Sequence, residues 1–194
     1  MAKADPEATK RERNKTIKWV VTIFFVTILV SGTISFLSDS LMENSSMAVA
    51  FLILFIIILV GIIFDIIGMA VATAEEKPFH AMAARKVEGA KESIQLLRNA
   101  ERVSSICNDV VGDICGVVSG SASATIAAQI LASFEFSWPQ IVSLLMSALA
   151  AGLTVGGKAI GKSFAVNSCT TIVHTVGKLI FRFNSLFHKN RKKK

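Results

Sequence analysis

Long apolar stretches dominate the pattern of hydrophobic and polar positions along the chain. The segments 19–37 and 47–64 contain no charged residue, and each is close to the roughly 20 residues that a helix needs to cross the hydrocarbon core of a bilayer. Two later stretches, 103–133 and 140–157, are apolar but rich in glycine, alanine and serine, which is typical of spans packed inside a helical bundle. The pattern predicts about four transmembrane helices, the first over 19–38.

Two further stretches place apolar residues at helical spacing among charged ones. The first lies over 76–101, where Pro78 suits the first turn of a helix. The second starts at Phe164 and continues towards the basic end of the chain. Such spacing is typical of helices that lie along a membrane surface. The predicted fold class is therefore all-α: a polytopic helical membrane protein with about four transmembrane helices and two amphipathic interfacial helices.

These elements predict a division of the chain into four parts. The first two are a basic cytoplasmic tail and the first transmembrane helix. They are followed by a transmembrane module that contains the first amphipathic helix, and by an amphipathic, basic C-terminal tail. The boundaries of the four parts are 1–18, 19–38, 47–175 and 176–194.

The distribution of charge predicts the orientation in the membrane. Hydrophobic residues make up 52% of the chain and the mean hydropathy is +0.57. None of the 21 Lys and Arg residues lies in the connecting segments 38–46 and 134–139, so the positive-inside rule places these loops outside and both termini in the cytoplasm. We expect a multi-pass protein of the cell membrane.

The net charge of +7 is accounted for by the segments predicted to be cytoplasmic, so it does not indicate nucleic-acid binding. The basic ends either attract anionic lipid or only fix the orientation.

Four ionisable residues fall where a helix should lie in the membrane: Asp65, after which the second apolar region continues to about Ala74, Asp109, Asp113 and, near the inner end of the last span, Lys158. A charge at the centre of a membrane helix costs roughly 2.5 to 3.5 kcal/mol on insertion scales, so each should face a partner or water. The three carboxylates, together with Asn108, could offer oxygen ligands to Mg²⁺ or Na⁺. The alternative is a structural ion pair, in which Asp65 or Asp113 contacts Lys158 and no ion moves.

The segment Gly156–Ser163 matches the phosphate-binding pattern G-x-x-x-x-G-K-[ST]. Its context is a membrane span rather than a strand and a loop, so nucleotide binding is not predicted. A helix broken at the glycines, with backbone groups that line a cavity, is the preferred interpretation.

Catalytic chemistry is not predicted for this chain. The three cysteines have neither the CxxC spacing nor the companion histidines of a zinc site. No nucleophile and base are arranged for catalysis in the sequence, so we expect neither an enzyme nor an organic cofactor.

From Gly61 to Thr175 the chain resembles the transmembrane module of the CorB/CorC/CNNM magnesium-transporter family. The segment Ala90–Arg102 is similar to an A-K-x-x-x-x-L-L-x-N-x-E-R run in that family, and Cys107–Gly112 is similar to its G-N-N-L-V-N motif at two positions. The family's G-E-x-x-P-K motif aligns with Gly157–Lys162.

The resemblance implies a homodimeric cation transporter that moves Mg²⁺, another divalent ion or Na⁺, and it adds Gly157 to the predicted ligands. We expect the CBS-pair and C-terminal domains of the family to be absent. Lys158 stands where the family has a glutamate that helps to bind Mg²⁺. An ammonium there would repel a divalent ion and occupy the cation position, so the alternative function is a non-transporting membrane regulatory or scaffold protein.

Overall fold

The computed structural model describes residues 6–43, 45–134 and 138–191, and the regular structure in these ranges is entirely helical. The predicted all-α class is confirmed. A π-helical segment, Ile106–Gly112, joins the fifth and sixth α-helices. The α-helices are α1 (Pro6–Glu43), α2 (Met47–Thr73), α3 (Lys77–Ala84), α4 (Ala90–Arg98), α5 (Ala100–Ser105), α6 (Asp113–Ser133), α7 (Pro139–Asn167) and α8 (Cys169–Arg191).

Four helical stretches of the described chain are long and apolar enough to cross a membrane: Ile17–Met42, Met47–Thr73, Ala100–Ser133 and Pro139–Asn167. The shortest has 26 residues, which corresponds to about 39 Å at 1.5 Å per residue, more than the hydrocarbon core requires. These four stretches identify a multi-pass membrane protein, as the apolar pattern predicted.

Several predicted boundaries differ from the helices of the structure. Residues 6–18 of the predicted tail belong to α1, while residues 1–5 lie outside the described ranges. The second amphipathic helix begins at Cys169 rather than Phe164. The predicted boundary between 175 and 176 falls inside α8, so it marks no structural division.

The prediction of one amphipathic helix over 76–101 is wrong. α3 ends at Ala84 and α4 begins at Ala90. Between them the backbone of Gly89 has a φ of +82°, a left-handed conformation that glycine adopts readily. A side chain on Gly89 would also overlap the backbone of Lys178 in α8. The apolar spacing continued through this turn, so it gave no sign of the break.

α2 lies at the centre of the bundle, where it contacts the π segment, α5, α6, α7 and α8. Two apolar clusters lie along its length. The first includes Leu54 and Ile58 of α2 with Ile126 of α6. The second includes Val71 of α2 and buries Phe79 completely. Asp65 lies on α2 between these clusters, so the fold places a carboxylate at the junction of two apolar cores.

α1 is a peripheral helix that packs mainly on α6. Near one end, Gln129 Nε2 donates a hydrogen bond of 2.8 Å to the Met42 carbonyl. Near the other end, the Arg102 guanidinium lies 5.6 Å from the centroid of the Trp19 ring. Large apolar side chains between these contacts, such as Phe25 and Leu29, are exposed. In a membrane these side chains face lipid.

Candidate functional site

The ammonium of Lys158 on α7 faces the carboxylate of Asp65 on α2. Lys158 Nζ lies 4.0 Å from Asp65 Oδ1, with the two side chains 20% and 7% exposed. Lys158 Nζ also donates a hydrogen bond of 3.2 Å to the carbonyl of Gly112. The structural ion pair, one of the two alternatives left open by the sequence, is thus present in the fold.

The π segment supplies the carbonyl that Lys158 binds. Gly112 is the last residue of this segment and is buried. A side chain at Gly112 would place its Cβ 3.3 Å from Lys158 Nζ and 3.9 Å from Asp65 Oδ1, so glycine leaves room for the ammonium. Wide helical turns of this kind are frequent at functional sites. Sequence reasoning missed Gly112 as a partner of Lys158, because apolar periodicity does not reveal a π-helical turn.

Close packing of α2 and α7 brings the charged pair together. A Cβ on Gly157 would overlap Ile62 on α2, and one on Gly161 would overlap Ile66. Gly157, predicted as a metal ligand, therefore serves as a contact surface between two helices. The small size of these glycines explains how Lys158 reaches Asp65.

α7 is continuous through Gly156–Ser163, so the predicted helix break at these glycines is wrong. Within a continuous helix the backbone N–H groups bond to carbonyls of the preceding turn. They are therefore not arranged as the phosphate-binding loop that the sequence pattern suggests.

Two oxygen atoms at the site accept no hydrogen bond from any described residue. They are Asp65 Oδ2 and Asn108 Oδ1, and both are buried. Asn108 lies against Gly68, one turn along α2 from Asp65, and its Nδ2 donates to Ser104 Oγ at 3.2 Å. Buried polar atoms usually have a hydrogen-bond partner, so these two oxygens are free to accept a hydrogen bond from a donor or to contact a small cation.

Asp109 and Asp113 do not join this site, and the predicted cluster of ligands is wrong in this respect. Both are exposed. Asn108 and Gly112 face α2, and the next residue along a helix points to a different side, which turns the two carboxylates away. In the described ranges no three His, Cys, Asp or Glu side chains are grouped so that they could hold a metal ion.

Asp109 instead lines an open cavity of about 440 Å³ with Glu101, Ser104 and Ser105. Its Oδ2 accepts a hydrogen bond of 2.7 Å from Ser105 Oγ.

Comparison with models of known protein families, with curated proteins and with solved structures finds no match to this chain. The resemblance to the CorB-type module therefore stays a prediction from the sequence motifs.

Proposed function

We propose that this multi-pass membrane protein is a non-transporting regulatory or scaffold protein, in which the Lys158 ammonium occupies the intramembrane cation position. One observation carries the proposal: Lys158 Nζ lies within hydrogen-bond distance of the Gly112 carbonyl and 4.0 Å from Asp65 Oδ1. An ammonium with an oxygen acceptor and a carboxylate beside it puts one positive charge where a bound cation would lie.

The charges of the pair support this proposal. Asp65 and Lys158 together carry no net charge, so the site has no net attraction for a divalent ion. At 4 Å two unit charges interact by about 4 kcal/mol for an effective dielectric constant of 20. The other carboxylates of the predicted set, Asp109 and Asp113, are on the helix surface and do not compensate the repulsion between Lys158 and a divalent cation.

Cation transport is the second candidate function, and the unpartnered oxygens of Asp65 and Asn108 favour it. The lysine side chain is flexible, so an ammonium that swings away would leave these oxygens and the Gly112 carbonyl free for a cation. Oxygen atoms of this type suit Na⁺ or Mg²⁺, and Mg²⁺ would keep several waters in such a site. Transport then requires Lys158 to move in each cycle.

Ion-dependent stability and ion flux separate the two functions. The full chain in lipid nanodiscs should melt at the same temperature with or without Mg²⁺ or Na⁺ at constant ionic strength, because a ligand stabilises only the state that binds it. Proteoliposomes should show no uptake of either ion above protein-free vesicles. Uptake that is lost in Asp65→Asn, with a melting temperature that rises with the same ion, would establish transport instead.

We also propose that both termini lie in the cytoplasm and that the protein resides in the cell membrane. The absence of Lys and Arg from segments 38–46 and 134–139 supports this orientation. In a variant in which Cys107, Cys115 and Cys169 are replaced by serine, Ser46→Cys and Trp138→Cys should each react with a membrane-impermeant maleimide added to intact cells. Lys86→Cys in the same background should react only after permeabilisation, and the reverse pattern would invert the topology. A homodimer remains a further proposal, supported by the sequence resemblance alone.

A further inference from the structure

The two halves of α8 have different surroundings. Its first half is fixed to the bundle: Val173 is fully buried, and His174 Nε2 lies 3.1 Å from the carbonyl of Glu88 in the α3–α4 turn. Beyond Gly177 three large apolar side chains are exposed, while Ile180 and Phe181 are half-buried. Leu179, Phe183 and Leu186 are 54%, 64% and 65% exposed.

These three uncovered residues lie on one face of the helix, because their spacing is i, i+4 and i+7. Lys178 and Arg182 are also four residues apart, and each directly precedes one of the apolar residues. The second half of α8 therefore presents an apolar face with basic side chains on an adjacent face. This combination is typical of a helix that lies in the interface of a membrane.

All charged residues in the sequence around α8 are basic. After Glu135 the chain contains nine Lys and Arg residues and neither Asp nor Glu. α8 is also tethered to the membrane, since only Ser168 separates it from the end of the membrane-crossing helix α7. A basic, apolar surface held at the end of a membrane span complements a leaflet that contains anionic lipid.

We propose that the second half of α8, from Lys178 to Arg191, docks on the membrane surface and requires anionic lipid headgroups to do so. The apolar face enters the boundary between headgroups and acyl chains, and Lys178 and Arg182 on the adjacent face contact the lipid phosphates. A second copy of this chain does not fit the face as well, because it would bring two strongly basic segments together and like charges oppose such contact. The proposal is independent of the Asp65–Lys158 pair.

Hydrogen–deuterium exchange of the full chain tests this docking. The protein is placed, one copy per disc, in nanodiscs of phosphatidylcholine or of phosphatidylcholine mixed with phosphatidylglycerol. Amides of 179–191 should exchange at least tenfold more slowly in the anionic discs, while those of 169–176 exchange equally in both. Equal exchange of 179–191 in the two lipids would overturn the proposal. Protection that appears only with two copies per disc would also overturn it, in favour of self-association.

Charge variants identify the residues responsible. The double variant Lys178→Gln/Arg182→Gln should reduce the ratio of exchange rates of 179–191 between the two lipids. The reduction should be roughly fivefold for each charge removed, as about 1 kcal/mol per surface charge implies. The matched control is Lys91→Gln with Arg98→Gln, which removes the same charge from exposed positions of α4 and should leave the exchange of 179–191 unchanged. An effect of equal size in both double variants would show a response to net charge alone and overturn the assignment to α8.

Discussion

Ser93 of α4 shares its one hydroxyl hydrogen between the carbonyl of Gly89, at 2.8 Å, and that of Val173 of α8, at 3.3 Å. Ser93 is completely buried. It lies where the α3–α4 turn and α8 come closest, because a Cβ on Gly177 would overlap both the Ser93 hydroxyl and the Gly89 carbonyl. Gly89, Gly177 and the Ser93 hydroxyl thus hold the α3–α4 region, which follows α2, against α8, which follows α7.

Gly177→Val should release α8 from this junction. The new side chain overlaps backbone as well as side-chain atoms, so we expect a loss of about 2 kcal/mol or more of stability, in the range of overpacked sites. Thermal unfolding in nanodiscs measures the loss, and faster amide exchange over 169–176 locates it. Gly156→Val is the control, because a Cβ there meets no atom within 4 Å. Equal losses in the two variants would contradict the close packing of Gly177.

Lys158→Met should destabilise the fold, since it leaves the buried carboxylate of Asp65 without its counter-ion. Breaking a buried pair costs about 3 kcal/mol or more. Adding Asp65→Asn should restore part of that loss, and a double-mutant cycle would give a coupling of about 1 to 3 kcal/mol. Lys162→Met, one turn further along α7 and exposed, is the matched control and should change little. Additive losses of Lys158 and Asp65 would show that the two charges do not interact.

The sequence predicts the membrane-crossing helices well because a run such as 47–64, without a single charge, has few other stable environments. It also predicts that Lys158 needs a carboxylate partner inside the membrane, although the sequence left Asp65 and Asp113 open as that partner. The sequence could not predict that Asp109 and Asp113 lie on the exposed side of their helix, because the packing of Asn108 and Gly112 on α2 decides which side is buried. The turn at Gly89 was hidden for a similar reason: it depends on contact with α8.

Gly68→Ala should displace the side chain of Asn108, because a Cβ on Gly68 would overlap Asn108 Oδ1 and Cγ. The hydrogen bond from Asn108 to Ser104 would be strained or lost, at a cost of about 1 kcal/mol. Gly116→Ala provides the comparison, since its Cβ has nothing within 4 Å and alanine favours a helix by about 1 kcal/mol. Melting temperatures should therefore fall for Gly68→Ala and rise for Gly116→Ala. A rise in both would place Asn108 elsewhere.

Trp19→Leu should loosen one end of α1 from the bundle. The contact of the indole with the Arg102 guanidinium contributes roughly 0.5 to 1 kcal/mol at an exposed site. Arg102→Gln should have a similar effect. Because both substitutions remove the same contact, the double variant should be no less stable than the less stable of the two single variants. Trp138→Leu, at a highly exposed position, is the control. Amide exchange at 17–25 measures the change, and unaltered exchange in Trp19→Leu would contradict a role for this contact.

The distance along the chain between Asp65 and Lys158 has a consequence for biogenesis. The two residues are separated by 93 positions, so at 5 to 20 residues per second Asp65 leaves the ribosome roughly 5 to 20 s before its partner. During that interval α2 has to be held at the insertion machinery or in the bilayer with an uncompensated acid. Assembly of the bundle therefore cannot be completed before α7 is synthesised, and a nascent chain that stops short of α7 should be a substrate for membrane quality control.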